Sequence, residues 1–303
     1  MTDAAAVADY VRARRAEVEA ALAILLPAPP DCPAPVADAM RYSLLGGGKR
    51  VRPVLCLASA DAVGGRTAAV LQAACAIELI HTYSLIHDDL PAMDDDSLRR
   101  GRPTLHVVAG EGMAILAGDG LLTEAFHALS SLPGDAARVL RAVRSIAYAA
   151  GPVGMVGGQA IDLASVKPGP QGRTAALDAT ALATMHAKKT GALIRAAAAV
   201  GAVLGGGSEA QIAAIDDAGA EFGLAFQIVD DILDVEGESA QIGKTPGKDA
   251  AAGKTTYPAL YGIARSREMA EQCIDRADAT LRAAGMLDSW LLGIGRWIVE
   301  RRN

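Results

Sequence analysis

Aromatic residues are scarce: three Phe, two Trp and six Tyr make up 4% of 303 residues. No run of β-branched residues alternates with polar ones, so a half-buried sheet has little to form from. The four cysteines, Cys32, Cys56, Cys75 and Cys273, are scattered without metal-ligand spacing and read as buried free thiols in a reducing compartment. There is no basic tract and no interleaving of aromatic with basic residues, and the formal net charge is -6, which argues against a nucleic-acid partner. The opening Met1-Thr2-Asp3-Ala4 lacks the basic start and apolar core of a signal peptide. The longest near-neutral stretch, Gly191 to Gly207, is broken by Arg195 and by glycines well short of the about 20 residues that a bilayer crossing needs. These absences predict a cytoplasmic protein without a transmembrane segment.

What is present favours helix. Hydrophobic residues are 51% of the chain, with alanine and leucine abundant, enough for a sizeable core of straight-chain and small side chains. Helical patterns run from about Val7 to Leu26, Val36 to Leu45, Pro53 to Gly64 and Thr67 to Asp89. Further blocks lie near Gly112–Ser131, Asp135–Ala150, Thr174–Thr190, Ala192–Leu204 and Ser208–Val235, and two more near Pro258–Ala284 and Leu287–Arg301. A loop rich in Gly, Lys and Thr covers Glu236–Thr256. No linker divides the chain, so the expectation is one all-α domain spanning residues 1–303.

Two acidic segments stand out. His87-Asp88-Asp89-Leu90-Pro91-Ala92-Met93-Asp94-Asp95-Asp96 places five carboxylates in nine positions at the end of an apolar run from Ala76 to Ile86. Carboxylates at a core boundary are unfavourable unless cations neutralise them. Oxygen donors without His or Cys suit a hard ion such as Mg2+ with bound phosphate, with Mn2+ as a substitute. His81, seven residues before Asp88, shares its helix face, and reads either as a core histidine or as a ligand contact. In Phe226-Gln227-Ile228-Val229-Asp230-Asp231-Ile232-Leu233-Asp234, Asp230 and Asp234 stack one turn apart, with Gln227 a turn earlier. Like charges at that spacing destabilise a bare helix, and no Lys or Arg follows before Lys244 to offset them.

Cations occupy the neighbouring loops. Gly46-Gly47-Gly48-Lys49-Arg50-Val51-Arg52 joins a permissive backbone to three positive charges, and Arg99-Arg100 closes the first acidic turn. Lys188-Lys189-Thr190-Gly191 ends a helix, while Lys244, Lys248 and Lys254 follow the second motif. Gly243-Lys244-Thr245 and Gly253-Lys254-Thr255 mimic a nucleotide-binding P-loop, but the upstream glycine is out of register and no strand precedes either. They read instead as lysine donors to phosphate.

Taken together, HDDLPAMDDDSLRRGRPT (His87–Thr104), GGGKRVRP (Gly46–Pro53), HAKKTG (His186–Gly191), FQIVDDILD (Phe226–Asp234) and GKTPGKD (Gly243–Asp249) resemble the trans-isoprenyl diphosphate synthases, in order and spacing. The resemblance implies an isoprenoid-synthase-type bundle of helices around a deep central cavity, usually a homodimer. It assigns Asp88 and Asp94 to Mg2+ with Asp89 in support, and Asp230 and Asp234, beside Asp231, to the opposite wall. Arg99, Lys189, Thr190, Gln227, Lys244 and Lys254 would hold an allylic diphosphate. Lys49, Arg52, His81 and Arg100 would hold isopentenyl diphosphate. The implied reaction is head-to-tail condensation of the two.

Product length should depend on what lies beneath Asp88. Tyr83 sits about 7.5 Å down the helix axis, one or two isoprene units deep. An aromatic there, with the Pro91-Ala92 insertion, resembles bacterial farnesyl diphosphate synthases and predicts a C15 product. The small Ser84 beside it leaves a C20, geranylgeranyl, product as the alternative. A class I terpene cyclase fits less well, since its second metal motif mixes Asn, Ser or Thr with Glu and it needs no isopentenyl site. An all-helical HD-type phosphohydrolase would want further histidine ligands.

Overall fold

The computed structural model describes residues 3–166, 177–236, 254–287 and 289–300. Helices dominate it: α1 Ala4–Leu25, α2 Ala34–Leu44, α3 Val51–Ala62, α4 Ala68–Asp88, α5 Leu105–Ala109, α6 Glu111–Ser130, α7 Ala136–Ala150 and α8 Met155–Val166. They continue with α9 Ala179–His186, a π-helical turn Ala187–Gly191, α10 Ala192–Leu204, α11 Glu209–Glu236, α12 Tyr257–Tyr261, α13 Ile263–Ala283 and α14 Trp290–Glu300. The all-α expectation holds.

Local chemistry sets many of the boundaries. Asp3, Asp135 and Asp178 cap α1, α7 and α9, each accepting from a backbone N–H of the first turn. Thr67 stands at the N-cap of α4 as expected, but in extended backbone without a side-chain capping bond. The block expected as one helix over Pro258–Ala284 is two, because Gly262 at φ +77° turns the chain between α12 and α13. α8 was not foreseen. Its Gly-Gly pair and the preceding Gly151-Pro152 mask the apolar period. A two-stranded antiparallel hairpin, β1 Leu98–Arg99 with β2 Arg102–Pro103, also departs from a purely helical reading; its turn residues Arg100 and Gly101 both take positive φ.

Two apolar clusters make up the core. One gathers α2, α4, α6 and α7; the other gathers α9, α11, α13 and α14. α3 and α10 serve both. Leu193, Ala197 and Val200 of α10 join the first cluster, and Ile194, Ala198 and Ala202 join the second. A helix apolar all round is one buried on all sides, and α3 is buried at every position from Val51 to Ala60. Small residues let these backbones meet: a Cβ on Gly201 would lie 2.0 Å from the Cys56 carbonyl. α4 is long and apolar enough to cross a membrane, but most of it is buried against the other helices. All four cysteines are buried and free, as expected.

Candidate active site

The first acidic motif sits where α4 ends. Asp88 is its last residue and Asp89 its C-cap, so both carboxylates meet the negative end of the helix dipole. After Pro91 the chain folds back over that end: the Asp94 N–H donates to the Asp88 carbonyl at 2.9 Å, and the Asp96 N–H to the Asp89 carbonyl at 3.2 Å. Asp95 takes φ +54° within this turn, a conformation Asp tolerates. Asp94 is thereby brought back beside Asp88. Burial, with Asp94 and Asp89 acting the same way, pushes the Asp88 carboxyl up to about 6 against Lys189 and Arg99. Asp89 is buried and receives the Arg99 guanidinium on both oxygens, each 2.8 Å from Nε. Arg99, expected on the allylic diphosphate, forks onto Asp89 and is tied to the acidic loop.

The second motif lies on α11. Asp230 and Asp234 are half-buried, one turn apart, whereas Asp231 points into the fold. Asp231 accepts from Gln227 Nε2 at 3.0 Å and from the Tyr257 backbone N–H at 3.0 Å, with His186 Nε2 at 3.5 Å. Gln227 in turn accepts from Thr190 Oγ1 at 2.8 Å. Asp231, expected among the catalytic carboxylates, therefore ties the π turn, α11 and α12 together, with a donor on each oxygen.

The π turn between α9 and α10 carries Lys188, Lys189 and Thr190. A π turn widens the helix by one residue and re-aims its side chains. Two glycines admit it. A Cβ on Gly158 of α8 would lie 2.1 Å from the Lys189 backbone nitrogen, and one on Gly223 of α11 2.7 Å from the Gly191 Cα. Lys189 Nζ donates to Asp162 Oδ2 at 2.5 Å, and Lys254 Nζ lies 3.5 Å from the same oxygen and 3.6 Å from Asp94 Oδ1. Burial alone would raise the Asp162 carboxyl, but the two ammonium groups outweigh it and hold it below the usual carboxylate range. Asp162 is buried at the centre of this group and was missed in the sequence. Gln159, one turn earlier on α8, has both amide atoms buried without a hydrogen-bond partner. The signal available was the pair Gln159…Asp162, three apart in an otherwise apolar stretch.

On the far side of α4, the Gly46–Arg50 loop leads into α3. Arg52 is buried in its first turn; burial lowers its pKa, while Glu78 and Asp230 act to raise it. The Arg100 guanidinium donates to the Gly47 carbonyl, and a Cβ on Gly48 would lie 2.7 Å from its Cζ, so glycine opens the seat. Burial, with crowding by Arg50, Arg99 and Arg52, lowers Arg100 to about 10 against the pull of Glu78. Burial and the surrounding arginines hold His81 well below the ordinary histidine value, so its ring is neutral at pH 7. Lys49 is half-buried in the same loop. A cleft enclosing about 430 Å³, mouth included, runs behind the first motif and is lined by Tyr42, Thr82, Asp89, Arg99, Arg100 and Leu105, among others. Lys244 and Lys248 lie outside the described residues.

Tyr83 is buried, its ring edge-on to His87 one turn later, with centroids 5.7 Å apart. The His87 ring meets α6 where Gly118 leaves room for it and lies 3.2 Å from the Ile115 carbonyl. Ser84 turns its hydroxyl onto the His81 carbonyl at 2.9 Å.

Among the described residues, no three His, Cys, Asp or Glu groups converge closely enough to hold a metal by themselves. The donor set is nevertheless suited to Mg2+: oxygen-only, partly buried and, at Asp88, crowded by neighbouring carboxylates. Mg2+ takes one or two carboxylates and fills its shell with water and phosphate oxygens, which fits paired but separated motifs.

Residues 33–284 match the polyprenyl synthetase family. A geranylgeranyl pyrophosphate synthase 12, chloroplastic, from Arabidopsis thaliana is 48% identical over 262 residues, covering 86% of this chain and 71% of the relative. An FPP/GFPP synthase from Zymomonas mobilis, solved without ligand, superposes with a TM-score of 0.84 at 35% identity, covering 98% of this chain and 100% of that one. A geranyltransferase from Helicobacter pylori, solved with magnesium and isoprenyl diphosphate, gives 0.82 at 31% identity, with 96% and 95% covered. Two expectations change. The cytoplasmic placement is overturned, since this relative and others of similar identity carry a chloroplastic designation. The C15 expectation yields to its C20 alternative, because the same relatives are named geranylgeranyl synthases. By family match, sequence relatives and fold, the chain belongs to the polyprenyl synthetase family and is a trans-prenyltransferase of isoprenoid synthesis.

Proposed function

We propose that the chain condenses an allylic diphosphate with isopentenyl diphosphate head-to-tail in a Mg2+-dependent reaction whose principal product is C20 geranylgeranyl diphosphate. The observation carrying this reading is the convergence of Asp88, Asp94, Asp162, Lys189 and Lys254, while Thr190 and Gln227 tie the π turn to Asp231 on the helix that carries the second carboxylate pair. Asp88 and Asp94 on one side, and Asp230 and Asp234 on the other, would hold Mg2+. When bound, the ions would neutralise charge building on the departing diphosphate.

Lys189, Thr190 and Lys254 bind the allylic diphosphate oxygens, with Lys244 reserved for the same group. Asp162 keeps the two ammonium groups aimed there before substrate arrives. Lys49, Arg52, Arg100 and neutral His81 hold isopentenyl diphosphate, whose double bond faces the allylic carbon. The allylic carbon–oxygen bond breaks, the double bond supplies the new carbon–carbon bond, and the proton lost passes to the released diphosphate. Apolar walls on α4 and α6 exclude water from the cation.

The C20 reading draws on the names of the relatives, while buried Tyr83 is the feature that would favour C15. Incubation with dimethylallyl and isopentenyl diphosphates, with Mg2+ and after chelation, followed by product sizing, tests it: C20 as main product is expected and predominant C15 would overturn it. No turnover in Mg2+, or undiminished turnover after chelation, would overturn the metal assignment. We also propose a homodimer and one folding unit. Val107, Val108, Ile115 and Leu116 lie 55%, 55%, 45% and 54% exposed on α5 and α6, a patch of the kind that marks an interface.

A further inference from the structure

The Gly46–Arg50 loop is held in a demanding backbone. Gly47, Gly48 and Arg50 all take positive φ, at +88°, +135° and +53°. Arg50 cannot adopt that region without strain, since a Cβ is disfavoured there. Something must over-determine it. Its guanidinium is 2% exposed and clamps two partners, Glu78 Oε1 at 2.7 Å and the Leu44 carbonyl at 2.6 Å. Glu78 is itself 2% exposed, on α4 one turn before His81.

Glu78 thus joins α4 to the residue that opens α3. Its surroundings are cationic: Arg50 in contact, and Arg52 and Arg100 within electrostatic reach. A buried carboxylate between guanidinium groups does two things. It offsets their mutual repulsion in the low-dielectric interior, and it fixes the one it touches. Glu78 and, 3.9 Å from Arg50 Nε, Glu19 offset only part of the charge on Arg50, Arg52 and Arg100, so the cluster keeps positive charge for a polyanion.

We infer that Glu78 is a positioning residue for isopentenyl diphosphate, holding Arg50 and through it the loop that presents Lys49 and Arg52. This rests on the assignment of Lys49, Arg52, His81 and Arg100 to that substrate. Glu78 touches no substrate; it acts through Arg50. Among the described residues, the allylic side, built on α8, the π turn and α11, shares no hydrogen bond with Glu78, so the two substrates should respond differently to its loss.

Steady-state kinetics with geranyl and isopentenyl diphosphates varied separately test this on the full chain. Glu78→Gln should raise KM for isopentenyl diphosphate by about tenfold or more while KM for geranyl diphosphate stays within about twofold, as expected when a buried charge pair is broken beside one substrate. Glu78→Asp, which keeps the charge, should restore much of the loss. Equal changes in both KM values, or a lowered melting temperature with unchanged KM, would overturn the inference. If Glu78→Gln does not fold, Glu78→Gln/Arg50→Met removes the ion pair as a unit and should still show the raised isopentenyl KM. Wild-type KM in that double variant would overturn it. Arg52→Gln reports on the underlying assignment separately: an unchanged isopentenyl KM there would move the substrate elsewhere, whatever Glu78 does.

Discussion

Asp88 combines three unfavourable circumstances: burial, a neighbouring Asp94 and the negative end of α4. Its carboxyl, pushed up to about 6, binds a proton more readily in the folded chain than in the unfolded one. The sign follows from that difference. Folded-state preference from this group is complete at low pH and declines as pH rises toward 6, above which the ionised form destabilises by roughly 1–3 kcal/mol. Asp88→Asn should therefore raise the melting temperature of the metal-free protein at pH 8 and change it little at pH 4, as calorimetry would show. Condensation should fall about a hundredfold or more, because the replaced oxygen is the one a metal would take. Equal melting temperatures at pH 8 would show that Asp88 is not a burden on the fold. Lowering pH through 6 should also weaken Mg2+ binding by wild type, proton and ion competing for one carboxylate, measurable by titration calorimetry.

At the scale of elements, the site depends on how closely α8 meets the π turn. Gly158 lies against the Lys189 backbone, where an added methyl would meet main-chain atoms at 2.1 and 2.5 Å. Neither backbone can yield as a flexible side chain would. Gly158→Ala is expected to cost about 1–3 kcal/mol through overpacking and to shift Lys189 from Asp162. A displacement of that order lowers kcat by about tenfold to a hundredfold. Circular dichroism should show the helices retained; undiminished kcat would mean that α8 does not set the lysine. The Lys189–Thr190 segment reads in sequence as the plain end of a helix, and α8 as no helix at all. Only the packing of α8, α9 and α11 around it makes the turn widen.

Across the whole molecule, α3 and α10 bind two apolar clusters into one body, and Val107, Val108, Ile115 and Leu116 leave an exposed apolar patch on α5 and α6. Leu116→Lys should convert the proposed dimer to monomer, observable by light scattering after gel filtration. A monomeric wild type would end that proposal. Product length belongs to this scale too, since it depends on how α4 meets α6 beneath Asp88. Tyr83 meets His87 edge-on, and the His87 ring fills the space at Gly118 of α6, so Tyr83→Ala should open space there and move the product distribution to longer chains. Unchanged products would show that the tunnel floor lies elsewhere.

Much of the site was legible one-dimensionally because its chemistry is local. Aspartates one turn apart on α11, glycines before Lys49 and a helix ending at Asp88 are properties of spacing, and spacing determined the helical class and the metal-diphosphate reading. Long-range contacts were not. That Asp231 would accept from Tyr257, that Arg99 would fork onto Asp89, and that Asp162 would hold Lys189 and Lys254 depend on segments 10 to 92 positions apart meeting in space. Residue type alone cannot separate a carboxylate that faces a substrate from one that faces its own chain. The sequence by itself determined which charges the protein carries and on which helices. The tertiary structure decided which of them are already satisfied, because only packing sets burial and the partner within reach.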